Sequence, residues 1–135
     1  MTQSVRPICK IVPESQRYQA IAMRSLHFDG IDLVIGVQGS DFSFANLIFR
    51  HVTGFRVLDE RDLCEFWPEY SDPKGWLWEV QAGGWMELES QRQFFSSPSV
   101  LSPLREFFVV EEHCISVLCR NPPEIIDRGA IPRHA

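Results

Sequence analysis

The sequence predicts an α+β protein with a bent, mainly antiparallel sheet of about six strands, or a partly closed barrel, and one or two short helices. Short apolar runs rich in aromatic and β-branched residues are typical of strands. Turn residues such as Asp29-Gly30 separate these runs, and helical periodicity is confined to brief stretches. The 135 residues predict one domain, in which residues 1–13 and 126–135 are peripheral.

The first predicted element is a β-hairpin over residues 18–38. Asp-Gly at positions 29 and 30 suits the two positive-φ positions of a type I′ turn. After the turn, Leu33, Ile35 and Val37 share one face of the second strand. The first strand has a helical alternative, because four of its side chains also fit a helical period: Tyr18, Ile21, Ala22 and Leu26.

Residues 42–59 predict a strand that is broken or bulged near Gly54, and His51 falls within it. A helix of about two turns is predicted next, with Asp59 as its N-cap. Pro68 ends this helix, whose apolar face carries Leu63, Phe66 and Trp67.

Residues 75–89 begin with a strand and turn at the glycine pair 83–84. Alternation gives this strand two faces, one with Trp76, Trp78 and Val80 and the other with Leu77, Glu79 and Gln81. Residues 90–104 contain two Ser-Pro steps and predict a long surface loop.

Residues 105–120 predict a second hairpin, which turns at residues 111–113. Both faces of its two strands are apolar. Strands of this kind are buried on both sides, so the hairpin is predicted for the middle of the sheet or for a covered barrel wall.

The negative charge of the protein is concentrated in residues 58–72. This segment holds six of the 18 acidic and one of the 13 basic residues, so the remainder has 12 of each and the net charge of −5 lies here. Carboxylates at a helix N-terminus gain about 0.3–1 kcal/mol from the macrodipole, which accounts for the first three acids. The other three lie at or beyond the end of the predicted helix: Glu65, Glu69 and Asp72.

Aromatic residues enriched at binding hot spots lie among these acids, so the segment is either a solvated face or a binding face. The binding hypothesis assigns six residues to a partner surface: Asp62, Glu65, Trp67, Glu69, Tyr70 and Asp72. Charge complementarity makes a basic protein the expected partner. A pI near 5.3 argues against nucleic acid. No apolar run is long enough to span a membrane, and a homodimer is left open.

A second hypothesis is a small barrel that binds an apolar or sugar ligand through Trp76, Trp78 and Trp85. Two tryptophans on alternate positions of a strand form an aromatic stripe about 7 Å long, which suits stacking against a ring. Packing in the core is the favoured interpretation of Trp76 and Trp78, because aromatic side chains carry large hydrophobic areas.

The sequence contains no familiar catalytic motif, since GxSxG, GxxxxGK[ST], HExxH and GxGxxG are all absent. An enzyme would depend on His51 or His113 together with a nearby carboxylate and a cleft, and this is the weakest hypothesis. Four scattered cysteines, two of them pointing to opposite faces of one strand, predict buried reduced thiols: Cys9, Cys64, Cys114 and Cys119. We therefore expect no catalytic residue, metal or cofactor.

Three stretches resemble a known group of proteins: "GFRVLDERDLCEFW" (54–67), "WEVQAGGWMELE" (78–89) and "EFFVVEEHCISVLCRNPPEI" (106–125). They resemble the small single-domain bacterial immunity proteins of toxin–immunity systems, including contact-dependent inhibition. The resemblance implies a protein that binds and blocks a cognate toxin inside the producing cell. Immunity families share no general binding motif, so the resemblance assigns no role to any residue.

These observations lead to the hypothesis of a non-enzymatic protein-binding module of immunity type, which occludes a basic toxin domain through an acidic surface. The N-terminus has no apolar stretch of signal-peptide type, so the expected location is cytoplasmic.

Overall fold

The structure is a computed structural model that describes residues 7–19, 21–40, 42–59, 75–93 and 103–130. The described residues form nine β-strands, one 3₁₀ helix and one short α-helix. The strands are β1 (Ile8–Ile11), β2 (Ala22–Phe28), β3 (Leu33–Gln38), β4 (Ser43–Phe49), β5 (Gly54–Asp59), β6 (Leu77–Ala82), β7 (Arg105–Val110), β8 (His113–Cys119) and β9 (Glu124–Ala130). The 3₁₀ helix spans Pro13–Arg17, and the α-helix, α1, spans Trp85–Glu89.

The strands pair into two antiparallel sheets. The first sheet has the order β1-β6-β7-β8-β5, and the second has the order β2-β3-β4-β9. The prediction of a mainly antiparallel sheet is confirmed. The expected number of about six strands is too low, and the described strands form two sheets that do not close into a barrel.

The main core lies between the inner faces of the two sheets, as in a β-sandwich. Phe49 of β4 and Phe107 of β7 meet across this interface, with ring centroids 6.1 Å apart, and both are completely buried. The same core contains Leu33, Ile35, Val37 and Leu47 from the second sheet and Leu77, Val109, Ile115 and Val117 from the first.

The outer face of the first sheet is also apolar. Its cluster of buried residues comprises Trp78, Val80, Phe108, Val110 and Cys114. The central strand β7 is therefore buried on both faces, with Phe107 on the inner side and Phe108 on the outer side. The predicted hairpin of residues 105–120 and its position inside a sheet are confirmed.

The chain changes sheet between β4 and β5. The strand predicted for residues 42–59 is broken near Gly54, as one of the two expected alternatives, but its two halves belong to different sheets. The expectation that His51 lies in a strand is wrong, because His51 is in this crossover and has a φ of 50°. The crossover is tied to the second sheet by the N–H of Val52, which donates to the carbonyl of Ile31 at 2.8 Å.

The hairpin of β2 and β3 is confirmed, and the helical alternative for its first strand is wrong. Its turn differs from the predicted type I′ turn, since Gly30 has a positive φ of 96° and Asp29 does not. The Asp29 carboxylate accepts hydrogen bonds from the backbone N–H groups of Ile31 and Asp32, both at 2.8 Å. A side-chain-stabilised turn, which Asp readily forms, therefore joins the strands.

The two ends of the described chain form edge strands. Residues 126–130, which were expected to be peripheral, form most of β9, an edge strand that pairs with β4. β1 pairs with β6, and Val12 just after it is buried. Both strands were missed because a flanking proline or several charged residues obscure their pattern, a composition that is common at sheet edges.

The predicted helix that follows Asp59 lies outside the described residues, while Asp59 itself is the last residue of β5. Neither helix in the described part of the chain is long and apolar enough to cross a membrane.

Candidate functional site

The residues assigned to partner binding lie outside the described residues: Asp62, Glu65, Trp67, Glu69, Tyr70 and Asp72. Asp59, the first acid of the segment, ends β5 and pairs with His113 of β8. Because β5 is the last strand in the order of the first sheet, the acidic segment begins at a sheet edge.

Trp76 and Trp78 are buried on different sides of the first sheet. Trp76 is 3% exposed, lies in the main core, and donates its indole N–H to the carbonyls of Ser15 and Tyr18, both at 2.9 Å. Trp78 is 7% exposed and packs in the outer cluster. The prediction that they share a face is wrong because β6 begins at Leu77, so strand alternation does not include Trp76.

Trp85 opens α1 and is half-buried. The guanidinium of Arg56 lies over its ring, 5.1 Å from the centroid, and its indole N–H donates to Glu89 at 3.1 Å. It lies over Gly54 of β5, so the third member of the predicted ligand face packs against the edge of the first sheet. The three indoles therefore do not form one continuous aromatic stripe.

An exposed apolar surface, here called the β2–β5 seam, lies where the second sheet meets β5. It is centred on Phe28 and Phe55, with Val57 two residues further along β5 and Ile31 in the turn between β2 and β3. The rings of Phe28 and Phe55 meet edge to face with centroids 5.2 Å apart. Phe28, Ile31 and Val57 are 40%, 56% and 41% exposed. Exposed apolar side chains that lie side by side mark interaction surfaces more often than scattered ones do.

A cavity of about 440 Å³, here called the inter-sheet cavity, opens at the opposite edge of the sandwich. It lies between β1, β6 and β7 of the first sheet and the start of β9 in the second. Its lining is mixed, and the apolar residues in it are Ile11, Val12, Pro13, Phe107, Pro122, Pro123 and Ile125. Its charged residues are Lys10, Glu14, Glu79, Arg105 and Glu124.

A bidentate ion pair between Arg105 and Glu79 lies on the first-sheet side of this cavity. Arg105 donates from Nε and Nη2 to the two carboxylate oxygens of Glu79, at 2.7 and 2.8 Å. The guanidinium lies over the Phe107 ring, and Lys10 Nζ is 3.7 Å from Glu79. Hydrogen bonding from Arg105 lowers the pKa of Glu79 despite partial burial, so Glu79 is ionised at neutral pH.

A smaller cavity of about 240 Å³ lies beside α1, and Glu106 lines it. Glu106 is 1% exposed, and its carboxylate accepts hydrogen bonds from the backbone N–H groups of Trp85 and Met86 at 3.0 and 2.8 Å. Removal from water raises the pKa of Glu106 more than these donors and Arg56 lower it. The residue holds the start of α1 against β7.

His113 has the nearby carboxylate that the enzyme hypothesis required, since its Nδ1 lies 3.0 Å from Glu111. Glu111 is buried and also accepts from the backbone N–H of His113 at 2.7 Å. These contacts fix the tip of the β7–β8 hairpin. At His51, the backbone N–H donates to the Asp32 carboxylate at 3.0 Å, which stabilises the crossover.

Cys114 and Cys119 are buried and follow the predicted strand geometry, whereas Cys9 is only partly buried and Cys64 lies outside the described residues. Cys114 lies in the outer cluster and Cys119 in the main core, on opposite faces of β8. Burial raises the pKa of Cys119 to about 11, so its thiol is neutral at pH 7 and a poor nucleophile. No three His, Cys, Asp or Glu side chains in the described ranges come together as a metal site.

Sequence patterns missed the Glu79–Arg105 pair and Glu106. Glu79 and Arg105 are on different strands, 26 positions apart, so local spacing could not pair them. Glu106 shares its face of β7 with Phe108 and Val110. In the sequence, the position of a single acid on an apolar strand face was the signal that could have indicated a buried carboxylate.

No protein-family model, curated protein or solved structure matches the chain at a significant level. Function is therefore inferred from the residues of the chain itself.

Proposed function

We propose that this chain is a non-enzymatic protein-binding module of immunity type, which blocks a basic partner domain by covering its surface. The acidic segment of residues 59–72 supplies the charge. The β2–β5 seam supplies an apolar surface on the strand from which the segment begins.

The observation that supports this proposal most strongly is the position of Asp59, where the acidic segment begins, on the strand that also carries Phe55 and Val57. Phe55 and Val57 lie on one face of this strand, and Asp59 follows them on the same face. An apolar centre with charged residues beside it is the usual composition of a protein interface. Carboxylates near an apolar patch would also speed the encounter with a basic partner.

A charge reversal tests the acidic surface. We expect Glu65→Lys, Glu69→Lys and Asp72→Lys together to weaken partner binding by about tenfold or more, because attraction becomes repulsion. The melting temperature should change little. Immobilised wild-type and variant proteins would be exposed to candidate basic toxin domains, and binding would be measured by interferometry at two salt concentrations. An unchanged affinity would refute the acidic mechanism.

A matched pair of substitutions tests the seam. Val57→Asp places a charge in the seam, whereas Ile126→Asp places one at a similarly exposed strand position on β9, with exposures of 41% and 46% for the native residues. Binding should be lost in Val57→Asp and retained in Ile126→Asp. The reverse result would move the interface to the outer face of the second sheet.

A further inference from the structure

The inter-sheet cavity has the size of a ligand site. Its volume of about 440 Å³ falls within the range of about 300–1,000 Å³ that small-molecule pockets occupy. Such pockets combine apolar walls with a few polar groups in fixed positions. Ile125 and the prolines supply the apolar walls here, and the Glu79–Arg105 pair, which lies over the buried Phe107, supplies the fixed polar group.

Arg105 is held so that part of its guanidinium remains available. A guanidinium has five N–H donors, and Glu79 accepts one from Nε and one from Nη2. Among the described residues, Glu79 is the acceptor shown for the Arg105 guanidinium. Because the group is planar, its remaining N–H donors lie on the side away from Glu79. Since the group is planar and lies over Phe107, its orientation is fixed before any ligand arrives.

The charged groups in contact with this guanidinium leave one positive charge uncompensated, although the lining as a whole holds three acids and two bases. Lys10 and Arg105 flank one carboxylate, so this group of three has a net charge of +1 when all are ionised. Two further acids lie in exposed positions of the lining, Glu124 and Glu14, and Glu124 is paired with Arg50 at 3.3 Å. These acids would repel a doubly charged phosphate more strongly than a carboxylate.

We propose that the inter-sheet cavity binds a small amphipathic monocarboxylate. Its carboxylate accepts from the remaining N–H groups of Arg105 and pairs with Lys10, and its apolar body packs against Ile125 and Pro122. This site uses none of the tryptophans, and it lies at the edge of the sandwich away from the β2–β5 seam.

Titrations with three six-carbon probes test the class of ligand: hexanoate, hexan-1-ol and hexyl phosphate. Binding would be followed by NMR, using the backbone amides of Lys10, Phe107 and Ile125 and the Nε–H of Arg105. Hexanoate should shift these resonances saturably and bind about tenfold more tightly than hexan-1-ol, the gain expected for a charge-assisted contact. Equal binding of the alcohol, tighter binding of the phosphate, or no saturable shift would overturn the proposal.

Variants test the assigned residues. Lys10→Gln should weaken hexanoate binding about threefold, whereas Arg24→Gln, which removes an exposed cation on β2, should leave it unchanged. The double variant Glu79→Gln with Arg105→Gln should abolish the preference for hexanoate over hexan-1-ol. If the double variant does not fold, Lys10→Gln still decides the matter, because unchanged binding there contradicts the assigned role of this side chain.

Discussion

Glu106 shows how strongly a single side chain can depend on its surroundings. Its carboxylate is almost fully removed from water between β7 and α1, and among the charges that act on it Arg56 favours ionisation and Glu87 opposes it. Desolvation dominates, so the pKa of Glu106 is raised. A raised pKa in the folded state has a defined effect on stability.

We expect Glu106 to make the protein less stable as pH rises above the ordinary value of 4.5. Between that value and the raised pKa of the folded state, folded Glu106 retains a proton that the unfolded chain has lost, so the free energy of unfolding falls with pH. Glu106→Gln removes this titration. Urea unfolding of both proteins at a series of pH values measures the difference.

The free energy of unfolding of the wild type, relative to that of Glu106→Gln, should decline with pH and then become constant. A difference that is independent of pH, or that increases with it, would show that the pKa of Glu106 is not raised. Any constant loss of stability caused by the Glu106→Gln substitution does not affect this test, because the test uses only how the difference between the two proteins changes with pH.

At the scale of elements, the loop from β6 to α1 depends on a glycine. A Cβ at Gly84 would lie 2.7 Å from Val80 Cγ1 and 2.8 Å from both carboxylate oxygens of Glu106. These distances are shorter than van der Waals contact, so the start of α1 can approach β7 only when this position has no side chain.

Gly84→Ala should lower the free energy of unfolding by about 1–3 kcal/mol, because either α1 or the Glu106 carboxylate must shift. Gly54→Ala is the matched control, since a Cβ there meets Trp85 at an ordinary 3.5 Å. Its effect should be within about 0.5 kcal/mol. Urea unfolding of both variants decides this, and equal effects would show that the Gly84 contact carries no strain.

Elements whose pattern is local could be predicted from the sequence. The hairpins of β2–β3 and β7–β8 were predicted because each combines a turn with two neighbouring runs of strand-forming residues. The two-sheet arrangement could not be predicted, because residues 42–59 are similarly apolar before and after the crossover. Nothing local shows that β4 pairs with β9 while β5 pairs with β8.

The candidate sites also differ in whether they are local in sequence. The acidic segment is visible in the sequence as an excess of charge. The inter-sheet cavity is not, because its walls come from β1, β6, β7 and the residues before β9. The pairing of Arg105 with Glu79 depends on the register of β6 with β7, which single-sequence patterns do not determine.

For the molecule as a whole, the first sheet is a layer with apolar clusters on both sides. Phe107 and Phe108 are neighbours in sequence, yet each is completely buried in a different cluster. Stability should therefore depend on both faces of β7, whereas a sheet with one solvated face depends on one.

Phe107→Ala and Phe108→Ala should each lower the free energy of unfolding by about 3–5 kcal/mol, the range for removing a buried phenyl ring. Leu88→Ala is the control, because Leu88 is 59% exposed on α1, and its effect should be within about 0.5 kcal/mol. Denaturant unfolding measures all three. A small effect of Phe108→Ala would mean that the outer cluster contributes little to stability.

The order of the strands along the chain also has a consequence for how fast the protein folds. β1 pairs with β6, and β4 pairs with β9. Each sheet therefore contains a pairing between strands that are far apart in sequence. Proteins with high contact order fold in milliseconds to seconds, because distant segments must meet before their contacts stabilise them. During synthesis, the edge of β4 therefore remains open until nearly the whole described chain has left the ribosome.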